Sequence, residues 1–147
     1  MGKITTATQW MIDLANDDTH GYDQNNRWGP NYDCSSAVIT AWEKAGVPVK
    51  TNGATTTSNM YKVFKSCGFS DVTATMDLTT RAGLAYGDVL LKPGSHTAMY
   101  VGNGQIVHAS KNENGEYTGG KSGDQTGKEI CIRSYFNYPW TYVLRYS

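Results

Sequence analysis

Three cysteines and three histidines are the residues of this 147-residue sequence with the chemistry for covalent catalysis. Cys34 follows Asp33 at what reads as the first position of a helix. Unpaired backbone N–H groups and the positive end of the helix dipole favour a thiolate there. A free cysteine is also among the most readily buried residue types, so the thiol gains meaning only with a base in reach. The base in turn needs a group that orients it. His96 opens one strand-like segment and His108 lies near the end of the next, so one ring can serve as base and the other can fix its tautomer. His20 sits in a polar stretch and reads as solvated. Cys67 and Cys131 lie among Phe64, Ile130 and Ile132 and read as structural. A bond between those two is compatible with the odd count and would still leave Cys34 free.

The elements that must position these residues follow from periodicity. Ile4, Ala7, Met11, Leu14 and Ala15 recur at helical spacing, and Thr6 with Gln9 has the form of a capping box. Residues 16–32 read as loop, with Gly21, Gly29-Pro30 and several Asp and Asn. A second helix starts after Asp33 as N-cap and lines Val38, Ala41, Trp42 and Ala45 on one face. It stops at Gly46, with Pro48 beyond. A third spans about 58–67, with Met60, Val63, Phe64 and Cys67 on one face and Gly68 as its stop. The period then becomes two, and segments 72–75, 88–92, 97–101, 105–109, 129–133 and 142–146 read as strands. Residues 112–127, polar and Gly-rich, read as a surface loop. Helices first and antiparallel strands afterwards make the fold class α+β.

The turn between the two histidine strands sets a conflict. Asn103-Gly104 favours a two-residue turn. In a regular hairpin that turn pairs Gly102 with Gln105 and His108 with Met99, and the two rings fall on opposite faces. A three-residue loop, Gly102-Asn103-Gly104, pairs Ala98 with His108 and puts both rings on one face. Joint action of the histidines demands the second arrangement. It is the one expected, with both rings on the face that meets the start of the Cys34 helix.

Composition bounds the rest. One domain, residues 1–147, is expected, and a chain of this length buries about 68–70% of its unfolded surface without needing staples. Apolar residues at 39% against charged ones at 18% exclude a disordered chain. Thirteen basic and thirteen acidic side chains cancel, which argues against nucleic acid as a partner and against steering toward anionic membranes. No apolar run is long enough to span a bilayer. The N-terminus lacks the apolar core of a secretory signal. Gly2 and Thr6 match the myristoylation pattern, a short and common one. Absence of a signal, with an odd cysteine count, points to reduced thiols.

In combination the segments Tyr32-Asp33-Cys34-Ser35-Ser36, Gly87-Asp88-Val89, His96-Thr97-Ala98-Met99-Tyr100-Val101-Gly102-Asn103-Gly104 and Ile106-Val107-His108-Ala109 resemble the NlpC/P60 cysteine peptidase superfamily. Within it they look most like the phage endolysin branch of peptidoglycan hydrolases called bacteriophage amidase type 5. Arg27-Trp28-Gly29-Pro30 and the stretch from Tyr138-Pro139-Trp140 to Tyr146 fit that branch too. The resemblance runs from Trp10 to the end. It departs before Cys34, where Asn25 to Pro30 stand in place of the usual paired glycines.

The resemblance implies a papain-like fold, N-terminal helices packed on an antiparallel sheet, acting on an amide of the peptidoglycan stem peptide. It makes Cys34 the nucleophile, His96 the general base and His108 the orienting residue. Tyr22 would assist the oxyanion beside the Cys34 N–H, and Asp33 and Ser35 would flank the nucleophile as substrate contacts. Arg27 and Trp28, in the loop just before Cys34, are further substrate contacts on their placement. No metal or cofactor is implied. The product class is that of an N-acetylmuramoyl-L-alanine amidase or a D-glutamyl endopeptidase. A monomer is expected, compatible with a wall-binding domain elsewhere in a longer chain. Synthesis in a host cytoplasm and action on the wall after release fit the missing signal. Two alternatives use the same residues. One is an acyltransferase or transglutaminase in which an amine intercepts the acyl-enzyme. The other is a metal- or wall-binding module, against which stands the lack of closely spaced ligand pairs. The aromatic run from Tyr135 to Tyr146 reads mainly as core rather than as a sugar-stacking groove.

Overall fold

Helix α1, Lys3–Asn16, turns Ala7, Met11 and Leu14 inward, with Ile4 packed beside them. It begins earlier than the Thr6–Gln9 pair suggests. Gly2 offers its carbonyl to the Thr6 N–H at 3.2 Å, and the Thr6 hydroxyl bonds the same carbonyl. Gln9 donates instead to Asp13 at 2.9 Å. The reason is tertiary: only a helix starting at Lys3 carries Ile4 onto the core. Helix α2, Cys34–Lys44, has the expected start and stop, with Gly46 at φ +93°. Helix α3, Thr57–Ser66, is capped by Thr56 and Asn59 reciprocally. The computed structural model describes residues 2–16, 28, 32–109, 130–136 and 140–146. His20, Tyr22, Arg27 and the 112–127 segment lie outside them.

Six strands form one antiparallel sheet: β1 Phe69–Asp71, β2 Val89–Lys92, β3 His96–Gly102, β4 Gln105–Ala109, β5 Ile130–Ser134 and β6 Tyr142–Tyr146. Their spatial order is β1-β6-β2-β3-β4-β5. The strand expected at 72–75 lies earlier, and Thr73–Thr75 is a 3₁₀ turn. Asp71 causes the switch, because its carboxylate accepts from both the N–H and the hydroxyl of Thr73 and bends the chain out of the ladder.

The sheet is covered on both faces. One face, through Val89, Leu91, Met99, Val107 and Leu144, meets Met11, Val38, Trp42, Met60 and Phe64 of the three helices. Each large side chain buried there stabilises the fold by about 1.5–3 kcal/mol. Gly87, at φ +91°, makes the approach of α1 possible: a Cβ there would stand 2.3 Å from Ile4 Cγ2. The other face, through Leu90, Ala98, Tyr100, Ile106 and Val143, is covered by Trp140 and by Val72, Met76, Leu78 and Leu84, with Tyr135 and Phe136 beside them. Tyr142 and Tyr146 pack on the helical side. The aromatic run thus contributes to both cores.

Candidate active site

Asp33 and the first turn of α2 fix Cys34. The Asp33 carboxylate accepts from the Ser36 N–H at 2.8 Å and the Ser35 hydroxyl at 3.2 Å, while the Asp33 N–H donates to Ser36 Oγ at 2.9 Å. This reciprocal cap holds Cys34 at the first helical position, with 8% of its surface exposed. Asp33 and Ser35 are themselves buried, and these hydrogen bonds shape the helix start. Neither Cys34 nor Cys67 is in a disulfide. Cys67 sits at the end of α3, where the Asn52 amide donates to its sulfur at 3.3 Å.

His96 and His108 meet directly. Nε2 of His96 lies 2.8 Å from Nδ1 of His108, and the ring planes cross at 76°. The register that allows this has Met99 opposite Val107 and Tyr100 opposite Ile106, which continues to Ala98 opposite His108 as the sequence reading requires. The turn differs from that reading. Gly102 pairs with Gln105, so Asn103-Gly104 form a two-residue turn with φ of +54° and +72°. A bulge between Tyr100 and Gly102 then restores the register.

The face also differs from expectation. Alternation gives Thr97, Met99, Val107 and Ala109 to the helical side, so both histidines point to the opposite face with Ala98, Tyr100 and Ile106. β3 is an interior strand and His96 is its first residue. Any contact between the Cys34 thiol and His96 therefore runs past the end of β3 rather than across the sheet.

The histidine pair is dry. His96 is 8% and His108 2% exposed. Burial pulls His96 down to about 4. His108 falls to about 3 through burial first, then through the charges of His96 and Arg133. A hydrogen bond between neutral rings needs the proton on one of the two facing nitrogens; with it on His96 Nε2, His108 Nδ1 is the acceptor. His108 Nε2, the remaining ring atom of the pair, is buried without a hydrogen-bond partner among the described residues. Trp140 stacks on His96 at 5.9 Å and 23°, and Phe136 meets His108 edge-on at 6.1 Å. Sequence reasoning took these two aromatics as ordinary core. The Tyr-Pro-Trp run was a signal for Trp140, but nothing local tied it to a histidine 44 positions earlier.

Among the other sequence candidates, Trp28 is 37% exposed with the Lys50 ammonium 4.4 Å from its ring centre. Tyr22 and Arg27 lie outside the described residues. Among the described residues, no three His, Cys, Asp or Glu side chains group as metal ligands, and no helix is long and apolar enough to cross a membrane. An open groove lined by Thr5, Thr6, Gln9, Trp10, Asp13 and Lys44 contains none of the candidates.

The endolysin-like domain model matches residues 29–105 and 106–147. The chain belongs to the endolysin-like domain family. No curated protein sequence matches this endolysin-like domain. Its fold is shared with solved NlpC/P60 structures at low identity. NlpC1 from Trichomonas vaginalis is 18% identical over 95% of this chain and 43% of its own, with a TM-score of 0.55. The peptidoglycan hydrolase RipB from Mycobacterium tuberculosis is 18% identical over 97% of this chain and 65% of its own, also at 0.55. The NlpC/p60 domain of the peptidoglycan hydrolase SagA is 18% identical over 94% and 97%, at 0.51. The endolysin-like domain thus spans less than half of NlpC1 and about two thirds of RipB.

Proposed function

We propose that this endolysin-like domain is a cell-wall hydrolase that cleaves an amide of the peptidoglycan stem peptide with Cys34 as nucleophile, His96 as base and His108 as orienting residue. The observation that carries the reading is the 2.8 Å contact between His96 Nε2 and His108 Nδ1, taken together with a capped helix that begins with a thiol. Family membership and the peptidoglycan hydrolases among the fold's neighbours supply the substrate class.

In this scheme neutral His96 takes the Cys34 proton on Nδ1 as sulfur adds to the amide carbonyl. The developing oxyanion is met by the Cys34 N–H and the Tyr22 hydroxyl. The carbon–nitrogen bond then breaks, His96 returns the proton to the departing amine, and a thioester remains. Water, deprotonated by His96, releases the carboxylate and restores the thiol. His108 accepts from His96 Nε2–H throughout and steadies the transient imidazolium. Asp33 and Ser35 shape the helix start, and Arg27 and Trp28 contact the wall polymer.

Cys34→Ala tests this on purified cell walls, with turbidity and newly released amino groups followed together. The expected outcome is loss of about 99% or more of lysis in a folded protein, as for removal of a covalent nucleophile. Retained lysis refutes the thiol mechanism. Amine consumption without wall clearing points to acyl transfer instead.

A further inference from the structure

The sheet face that carries the histidines is closed by a pair of aromatic rings. Trp140 is 4% exposed and lies nearly parallel to the His96 imidazole, 5.9 Å away. Its indole N–H is spent on the Phe136 carbonyl at 3.0 Å, so what it presents to His96 is a flat π surface with no competing donor. Phe136 in turn packs against Trp140 at 6.2 Å and edge-on against His108 at 6.1 Å. The Arg133 guanidinium lies 4.7 Å from the Phe136 ring centre.

We propose that Trp140, braced by Phe136, is a positioning residue for His96: it fixes the imidazole plane so that Nδ1 faces the thiol, and it keeps water from the hydrogen bond to His108. This rests on the reading of His96 as base. A half-turn of the ring about its Cβ–Cγ bond would put Cε1 where Nε2 stands and Cδ2 where Nδ1 stands, turning Nε2 away from His108. A parallel indole face resists that turn by contact alone. The same face stabilises the imidazolium formed during turnover through its quadrupole. The apolar cover is also what makes the neutral ring the resting state. Charged groups on this side are Lys92, which pairs with His96 across β2 and β3, and Arg133 on β5. Arg145 lies further along, held by Asp88 at 2.7 Å. Of the carboxylates on this side, Asp88 is engaged by Arg145 and Asp77 lies beside Tyr135, while Arg133 acts with burial against protonation of His108.

The test compares Trp140→Leu, which keeps apolar volume without a flat face, with Trp140→Phe, which keeps the face. Histidine side-chain nitrogens are observed by NMR in the full chain across pH 3–8, and wall lysis is profiled over the same range. In W140L the His96 titration is expected to rise by about one unit or more from its buried value and the Nε2–H tautomer to give way to a mixture. The acid limb of lysis should move up with it, while rate falls about tenfold. W140F should restore both. If W140L does not fold, Phe136→Leu, which removes the brace alone, is expected to show a smaller shift in the same direction. An unchanged His96 titration and tautomer in whichever of W140L and F136L folds overturns the proposal. Because the NMR readout needs no turnover, it remains decisive even if Cys34→Ala leaves lysis intact and the thiol mechanism fails.

Discussion

Acidification from pH 7 to pH 5 reads the buried histidine pair through stability alone. Burial holds His96 at about 4 and His108 at about 3, whereas an unfolded histidine titrates near about 6.5. Between these values the unfolded chain binds protons that the folded chain refuses. Stability therefore falls as pH drops through about 6.5 and continues to fall until the folded values are reached. pH 5 lies about 1.5 units below the unfolded value and above both folded ones, so at ~1.4 kcal/mol per unit the two rings together remove roughly 4 kcal/mol. Against a typical total of about 5–15 kcal/mol that is a large fraction. The assay is urea unfolding at both pH values, in a Cys34→Ala background and in the same background with His96→Gln and His108→Gln. Carboxylates and His20 titrate equally in both proteins, and the fixed cost of the glutamines cancels when each protein is compared with itself. The parent should lose about 3–4 kcal/mol more than the glutamine variant over this interval. An equal loss in the two proteins would show that the folded rings accept protons as readily as unfolded ones, and the dry, neutral pair would be refuted.

Two further substitutions probe the frame that carries the site. Gly87→Ala places a Cβ 2.3 Å from Ile4 Cγ2 in a residue at φ +91°, and should cost about 2–4 kcal/mol in urea unfolding from overpacking and backbone strain together. Adding Ile4→Ala removes the clash and not the strain, so any recovery should be partial. Asp88→Asn leaves Arg145 without the carboxylate it grips at 2.8 and 2.7 Å. Since the Arg145 side chain is 35% exposed and can turn to water, the expected loss is about 2–3 kcal/mol, below that of a fully buried pair. A loss under about 0.5 kcal/mol would remove the pair's structural role.

How far the sequence reached depended on whether a feature was decided locally. Helix α2 was readable in full because Asp33, Gly46 and Pro48 act within a few residues of the backbone groups they satisfy or terminate. The start of α1 was not, since Thr6 and Gln9 fit a capping pattern that the burial of Ile4 overrides. Residues 72–75 have strand-forming side chains, but the Asp71 carboxylate redirects Thr73 before they can pair. The candidate nucleophile and both histidines were legible by type and order. Their surroundings were less so: alternation places the rings opposite the helical core only because Met99 and Val107 claim the helical side. That choice is made by Trp42, Phe64 and Met11, far away in the chain.

The hairpin between the histidines shows how local and long-range demands are met together. Asn103-Gly104 take left-handed conformations at both positions and close the turn in two residues, as their types dictate. A regular ladder from that turn would put His96 and His108 on opposite faces, and it would also put Met99 and Val107 on opposite faces, stripping one of them from the core. Burial and chemistry therefore ask for the same shift of one residue. One additional residue in β3, at Val101, supplies it, and Gly102 at φ +86° tolerates the bend. Val101 still packs its side chain against the helical core, so the inserted residue costs little apolar burial. The Gly104 N–H donates to the Tyr100 hydroxyl at 2.9 Å and ties the turn back across the bulge. The turn signal and the histidine pairing conflict only for a strand without irregularity. A glycine immediately before a two-residue turn signal is the sequence feature that marks where the irregularity can be placed.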